Sequence, residues 1–223
     1  MGGAYLDTAE VIAKKFNLDL DQKSPIVIRT SRFKGLIELF KELNFKVGAE
    51  IGVAGGKFSQ WLFHGIPGLK LYAIDPWESY KDYVEHHDEV GQIILDDCLA
   101  KAQQRLTGKN VEFIRKFSMD VVKDFKDNSL DFVFIDGNHT FEYVINDIAE
   151  WSKKVRPGGI IAGHDFWNSI RERRIMPELT DDKERIKLCQ VKDAVYSWTA
   201  TNQIKLWFVT KGDSCPSWMF IKR

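Results

Sequence analysis

The sequence predicts a doubly wound α/β fold: seven strands, mostly parallel, with an antiparallel hairpin at the C-terminus and helices ahead of the first strand. Three observations predict it. Short apolar runs alternate five times with longer amphipathic ones. A glycine-rich turn, Gly52-Val53-Ala54-Gly55-Gly56, joins the first apolar run to its helix. The last two apolar runs, 203–210 and 217–221, are linked around Lys211-Gly212-Asp213, too short a connection for a parallel crossover. Alternation of this kind gives a Rossmann-like sheet with helices on both faces and right-handed crossovers. Ligands of such sheets bind outside the carboxyl ends of the strands, where the strand order reverses.

The elements follow in order. Apolar residues at Leu6, Ala9, Val11, Ile12 and Phe16 predict a helix over 5–16, and the polar stretch 17–25 reads as a linker. Thr30 or Ser31 caps a second helix whose stripe is Leu36, Ile37, Leu39, Phe40 and Leu43. Residues 1–30 are thus expected to form an N-terminal helical extension and 31–223 the main domain. The first strand spans 47–52 and its helix 56–64; the second strand, 69–74, ends in Asp75-Pro76-Trp77. The connection 80–106 is longer than a minimal crossover. Its first half carries Tyr80, Tyr83, His86 and His87, which makes it a candidate substrate lid.

A third strand over 111–115 is followed by a short helix from Ser118 or Asp120 to Phe125. A fourth, 130–135, runs into Asp136-Gly137-Asn138-His139. A helix over 141–155 and the turn Arg156-Pro157-Gly158-Gly159 lead to a fifth strand, 160–162, which ends in Gly163-His164-Asp165. The charge-rich stretch 170–187 reads as a solvated excursion, and a helix over 190–200 precedes the hairpin. The five strand exits should therefore converge on one crevice.

Composition narrows the partners. Of 223 residues, 44% are hydrophobic, which excludes global disorder. Lys+Arg and Asp+Glu balance at 32 each, so no field favours nucleic acid or an anionic membrane. No apolar run approaches the roughly 20 residues of a membrane span, and Asp7, Glu10, Lys14 and Lys15 interrupt any secretory signal core. Cys98, Cys189 and Cys215 are odd in number and far apart, as expected of reduced thiols in a cytoplasmic protein. Association into a homo-oligomer is left open.

The exits carry the chemistry. A backbone that turns tightly beside a ligand needs residues without a Cβ, and Gly52, Gly55 and Gly56 supply them. The following helix N-terminus offers free N–H groups. The dinucleotide pattern G-x-G-x-x-G is absent from this turn. An acid at the first strand end, Glu50, suits an amino-bearing ligand, and Asp75 suits a ribose diol. Together they point to a nucleoside that carries an amine.

The stretch from Glu50 to Asp75 resembles motif I and the following acidic position of class I methyltransferases that use S-adenosylmethionine. The resemblance covers about residues 33–221, with Ala54 in place of a frequent glycine. It implies that Gly52 and Gly56 lie against the methionine part, Glu50 near its amino group, Asp75 on the ribose and Ser118 on adenine. Trp77 would pack on cofactor or substrate, whereas Trp151, Trp198, Trp207 and Trp218 read as core. The segments from Phe134 to His139 and from Arg156 to Asp165 resemble the subgroup that methylates hydroxyls of small molecules. They imply Asp136, His164 and Asp165 as ligands of a divalent ion, and His139 as a base beside Asp136, which also borders the donor. Magnesium prefers oxygen donors, whereas imidazole suits later metals. Either the ion is manganese, iron or zinc, or His164 supports the ligands from behind, or no metal binds. The expected activity is methyl transfer to a small-molecule hydroxyl. A metal-independent or nitrogen-directed transferase and a catalytically silent S-adenosylmethionine-binding protein are the alternatives.

Overall fold

In the computed structural model, eight strands form one sheet; from edge to edge they span residues 26–28, 207–210, 217–221, 155–163, 130–135, 47–51, 70–74 and 111–114. The structure describes residues 3–81, 83, 89–168 and 189–223. The central strands are β2 (Val47–Ile51), β3 (Lys70–Ile74), β5 (Leu130–Ile135) and β6 (Val155–Gly163), flanked by β4 (Val111–Ile114). They read as near-continuous apolar runs because both faces of the sheet are covered. β8 (Ser217–Ile221) runs antiparallel to both β6 and β7 (Trp207–Thr210), as the short connection requires.

The eighth strand is β1 (Ile26–Ile28), which lies between the predicted linker 17–25 and the predicted second helix. It pairs parallel with β7 at the sheet edge. Ile26 and Ile28 are buried while Val27 is 43% exposed, an alternation too short to stand out as a pattern. The N-terminal segment therefore joins the same core. Helix α1 (Gly3–Phe16) sends Ala9 and Ile12 into a cluster with Ile160, Ala162 and Met219, and Thr8 Oγ1 donates to the Gly158 carbonyl at 2.7 Å.

One face of the sheet carries α1, α2 (Ile37–Glu42) and α3 (Lys57–Gly65), with Phe40, Phe58 and Leu62 packed on Phe132 and Phe134. α4 (Glu89–Arg105) closes over Val53, Ala73 and Trp77 through Ala102. The other face carries α6 (Phe141–Lys154) and α7 (Val191–Thr201), which bury Val144, Ile148, Trp151, Val191, Ala194 and Val195 against Ala49, Val133 and Ile161. α5 (Ser118–Val121) is a single turn after β4. The predicted solvated stretch 170–187, and His86 and His87 of the predicted lid, lie outside the described residues. No helix among the described residues is long and apolar enough to cross a membrane.

The strand order reverses between β2 and β5. Their paired exits, Ile51 opposite Ile135, open the crevice that the sequence reading anticipated.

Candidate active site

The crevice starts at Gly52, which leaves β2 with φ +83° while its N–H donates to the Ile74 carbonyl at 2.9 Å. A Cβ here would meet the Asp136 carbonyl oxygen at 2.2 Å, so only glycine lets the turn and the β5 exit approach this closely. Gly56 (φ +71°) then caps α3.

Asp75 clasps the turn. Its Oδ2 accepts from the N–H groups of Val53 and Ala54, both at 2.9 Å, and its Oδ1 accepts from Trp77 N–H at 2.8 Å. Burial raises the Asp75 carboxyl above its ordinary pKa even though three backbone N–H groups favour the anion.

A cavity of about 520 Å³ lies over this turn. Its walls include Gly52, Ala54, Asp75, Ser118 and Asp136, with Tyr80, Phe117 and Tyr143 as an aromatic rim. The Tyr80 ring stands 5.1 Å from Phe117 and 6.1 Å from Tyr143. Its hydroxyl accepts from Asn138 Nδ2 at 3.1 Å, and burial pushes its pKa up to about 12.

Three residues assigned to the donor from the sequence sit behind the cavity wall. Glu50 is 2% exposed and accepts a hydrogen bond from Ser59 Oγ of α3. Burial pushes its carboxyl up to about 8; Ser59 and Arg32 oppose the shift, and the charges of Asp136 and Asp75 add to it. Strand alternation turns Glu50 towards α3, away from the crevice. Gly56 lies under α4, where a Cβ would come within 3.0 Å of Ala102 Cα. Trp77 is fully buried, at φ +43°, and donates from Nε1 to the Ala54 carbonyl at 2.9 Å. It supports the turn from beneath.

Beyond Asp136, the exits of β5 and β6 bring two carboxylates and two imidazoles together. His139 Nε2 is 3.4 Å from Asp136 Oδ1 and 3.2 Å from Asp165 Oδ2. His164 Nδ1 is 3.6 Å from Asp136 Oδ1 and 3.1 Å from Asp165 Oδ1. The donor atoms of Asp136, His139 and Asp165 all fall within 4.8 Å of one another, a spacing that can hold a metal ion.

Burial by itself would raise the Asp136 pKa. Hydrogen bonds with His139 and His164, together with the charge of His164, hold it below the usual carboxylate range. Burial likewise opposes the charged form of His164, but the two carboxylates outweigh it and raise its pKa. Asp165 sits at φ +49°, a backbone conformation that costs free energy and concentrates at functional sites. Its loop is held by Trp167 N–H donating to the Asp165 carbonyl at 2.6 Å and Phe166 N–H donating to Pro216 at 2.9 Å.

Two charged residues at the site were not singled out from the sequence. Arg32, in the turn of helix between Ser31 and α2, places Nη1 3.2 Å from Asp136 Oδ2 and stacks 4.8 Å over the Phe33 ring. Its backbone N–H donates to Asp213 of the β7–β8 loop at 2.8 Å. Nothing local in the sequence marks this reach. Asp147 lies on the buried stripe of α6 and accepts a hydrogen bond from Ser118 Oγ. An acid between Val144, Ile148 and Trp151 was the available signal.

Comparison with known proteins comes out as follows. A family model described as a methyltransferase domain, family 24, matches residues 49–166. Protein y4gI of Sinorhizobium fredii is 26% identical over 127 residues, 57% of this chain and 13% of that protein. Protein R132 of Acanthamoeba polyphaga mimivirus is 35% identical over 74 residues, 31% of this chain and 34% of that protein. The chain thus spans about a third or less of the length of these curated relatives.

Among solved structures, the O-methyltransferase TomG of Streptomyces achromogenes, in complex with SAM, aligns with a TM-score of 0.56 at 18% identity, covering 99% of this chain and 90% of that one. An O-methyltransferase of Bacillus cereus in complex with SAH aligns with a TM-score of 0.53 at 19% identity, covering 98% and 90%. At that identity the likeness is one of fold. The family match spans more than half the chain and contains the glycine turn, Asp75, Asp136, His139 and Asp165; the chain belongs to the class I methyltransferase-domain family.

Proposed function

We propose that the chain transfers the methyl group of S-adenosylmethionine to a hydroxyl of a small molecule. The observation that carries this reading is the double position of Asp136. It forms part of the cavity wall over the glycine turn, and its Oδ1 also faces His139 and His164. A donor in the cavity and an acceptor at the cluster would then meet at Asp136.

Methyl transfer from a sulfonium is an in-line displacement, so the protein mainly holds oxygen, carbon and sulfur collinear. The Gly52 turn offers backbone close to the donor, and Asp75 keeps that turn in shape. A hydroxyl is a weak nucleophile near neutrality. His139, within hydrogen-bond reach of two carboxylates, is placed to take its proton, and the carboxylates then stabilise the imidazolium. A divalent ion would be held by Asp136 and Asp165 with one imidazole: His164 if His139 serves as the base, whereas the donor atoms within 4.8 Å of one another are those of Asp136, His139 and Asp165; two carboxylates with an imidazole favour manganese, iron or zinc over magnesium. Such an ion, when bound, lowers the pKa of an acceptor hydroxyl beside it.

The metal-independent alternative has its own support. Arg32 and His164 already set two cationic groups against Asp136 and Asp165.

The test is turnover of S-adenosylmethionine to S-adenosylhomocysteine with a panel of hydroxyl acceptors, with and without EDTA, for the wild type and His139→Ala. The proposed chemistry expects product from the wild type and a loss of roughly a hundredfold or more in His139→Ala. Undiminished turnover in that variant rules out the histidine base. Undiminished turnover in EDTA rules out the metal.

A further inference from the structure

Arg32 meets Asp136 with one of its three guanidinium nitrogens. Among the described residues Nη1 alone has an acceptor, Asp136 Oδ2; Nε is buried without one. Nε and Nη2 share one edge of the planar group, the edge that grips a carboxylate through two parallel N–H···O bonds. A buried donor left unpaired costs stability, and native structures keep few of them without a use.

That edge is held in place. The Arg32 backbone N–H donates to Asp213 Oδ2 at 2.8 Å, and Ser31 Oγ accepts from Lys34 N–H at 3.2 Å. The β7–β8 loop lies directly on this turn, where a Cβ on Gly212 would meet the Thr30 carbonyl carbon at 2.4 Å. Cζ of Arg32 stands 4.8 Å from the centre of the Phe33 ring and 5.6 Å from that of Phe58, which packs on Phe134 of β5 at 4.1 Å. A guanidinium fixed against two rings loses little freedom when its open edge is filled.

Asp136 stands between this edge and the base. Its Oδ2 faces Arg32 Nη1 and its Oδ1 faces His139 Nε2. A hydroxyl at His139 and an acceptor group on Arg32 are therefore only a few bonds apart, close enough to belong to one small molecule. We propose that the open edge of Arg32 takes the carboxylate of the methyl acceptor, which makes the acceptor a small hydroxy acid. This rests on the reading of the cluster as the place where a hydroxyl is methylated. Asp136 balances the guanidinium charge, so the preference comes from two directed N–H groups. A carboxylate offers an oxygen to each of them, whereas an amide sets its own N–H groups against one.

The experiment is calorimetric titration of the protein, saturated with S-adenosylhomocysteine, against salicylate and mandelate and against their amides. EDTA is present throughout, so chelation of an ion cannot supply the preference. The wild type should bind at least one acid about tenfold or more tightly than its amide. Arg32→Met should bring that ratio close to one, and Arg32→Lys, which keeps the charge but not the fork, should lower it. Because the ratio is taken within one protein, any disturbance of Asp136 by the substitution cancels. If Arg32→Met does not fold, Arg32→Lys decides in its place. A wild type without preference for either acid, or a variant that keeps the full preference, overturns the assignment. The competing occupant is the carboxylate of the donor itself. Its arm compares S-adenosylhomocysteine with the decarboxylated compound, and the ratio of the two should be the same in wild type and variant; a ratio that collapses in the variant gives the edge to the donor and overturns the proposal. A folded wild type that does not bind S-adenosylhomocysteine overturns the S-adenosylmethionine reading and this one with it, whereas binding without a preference for acids overturns this one alone.

Discussion

Nε2 of His164 lies 3.1 Å from the carbonyl oxygen of Cys215, which holds the ring so that Nδ1 faces Asp136 and Asp165. Ligating histidines are commonly oriented in this way, by a carbonyl on the far ring nitrogen. His164→Ala should therefore weaken manganese or zinc binding by about ten- to a hundredfold, as measured by calorimetry on the metal alone. Unchanged affinity would remove His164 from the ligand set.

Asp75 satisfies three backbone N–H groups at once. Asp75→Ala strands all three in a buried turn, and unfolding in urea should show a loss on the order of 3 kcal/mol or more. Asp75→Asn keeps one acceptor oxygen and should fall between the two. If the Ala variant loses nucleoside affinity but no stability, Asp75 is a ligand contact and not a clasp.

Gly52→Ala tests the close approach of the turn to the β5 exit. The substitution combines a positive φ with a Cβ 2.2 Å from the Asp136 carbonyl oxygen, backbone that cannot swing aside. Destabilisation of about 3 kcal/mol or more is expected, with loss of S-adenosylhomocysteine binding even in the fraction that folds. A variant that melts and binds like the wild type would show that the turn is looser than its geometry implies.

Glu50 makes stability depend on pH. Its folded pKa is about 8 against an ordinary 4.5, so the folded state holds the proton more tightly than the unfolded chain. The resulting stability is fully present below the unfolded value, declines as pH rises towards 8, and is flat above it. Asp147, at about 7 against 3.8, acts with the same sign over a lower window. Arg32, Asp136, Asp75 and Ser59 surround Glu50, and Ser118 faces Asp147. Glu50→Gln keeps an acceptor for Ser59 and removes the titration. Relative to the wild type it should gain nothing at about pH 4 and on the order of a few kcal/mol at about pH 9. A difference independent of pH would contradict the buried, neutral carboxyl.

How much of this was legible from the sequence follows from how local each determinant is. The cores of β2, β3 and β5 are apolar on both faces, and the turn chemistry of Gly52 and Gly56 is carried by the residues themselves, so both could be read directly. β1 could not. Its three residues become a strand only by pairing with β7, about 180 positions later in the chain. Period-two alternation decides that Glu50 faces α3, but its partner Ser59 is apparent only once that helix is packed. Arg32 reaches Asp136 across 104 positions, and Trp77 turns under the loop through a backbone conformation that no residue pattern announces. His139 and His164, by contrast, could be anticipated as neighbours from the converging strand exits: β5 and β6 pair in parallel, and both imidazoles face Asp165.

The central claim is that the cavity over the Gly52 turn holds a methyl donor. Calorimetric titration of the purified protein with S-adenosylhomocysteine, and separately with NADH, tests it most directly. The account predicts saturable one-to-one binding of S-adenosylhomocysteine in the micromolar range, abolished in Gly52→Ala, and no heat from NADH. Binding of NADH, or of neither compound by folded protein, would contradict it.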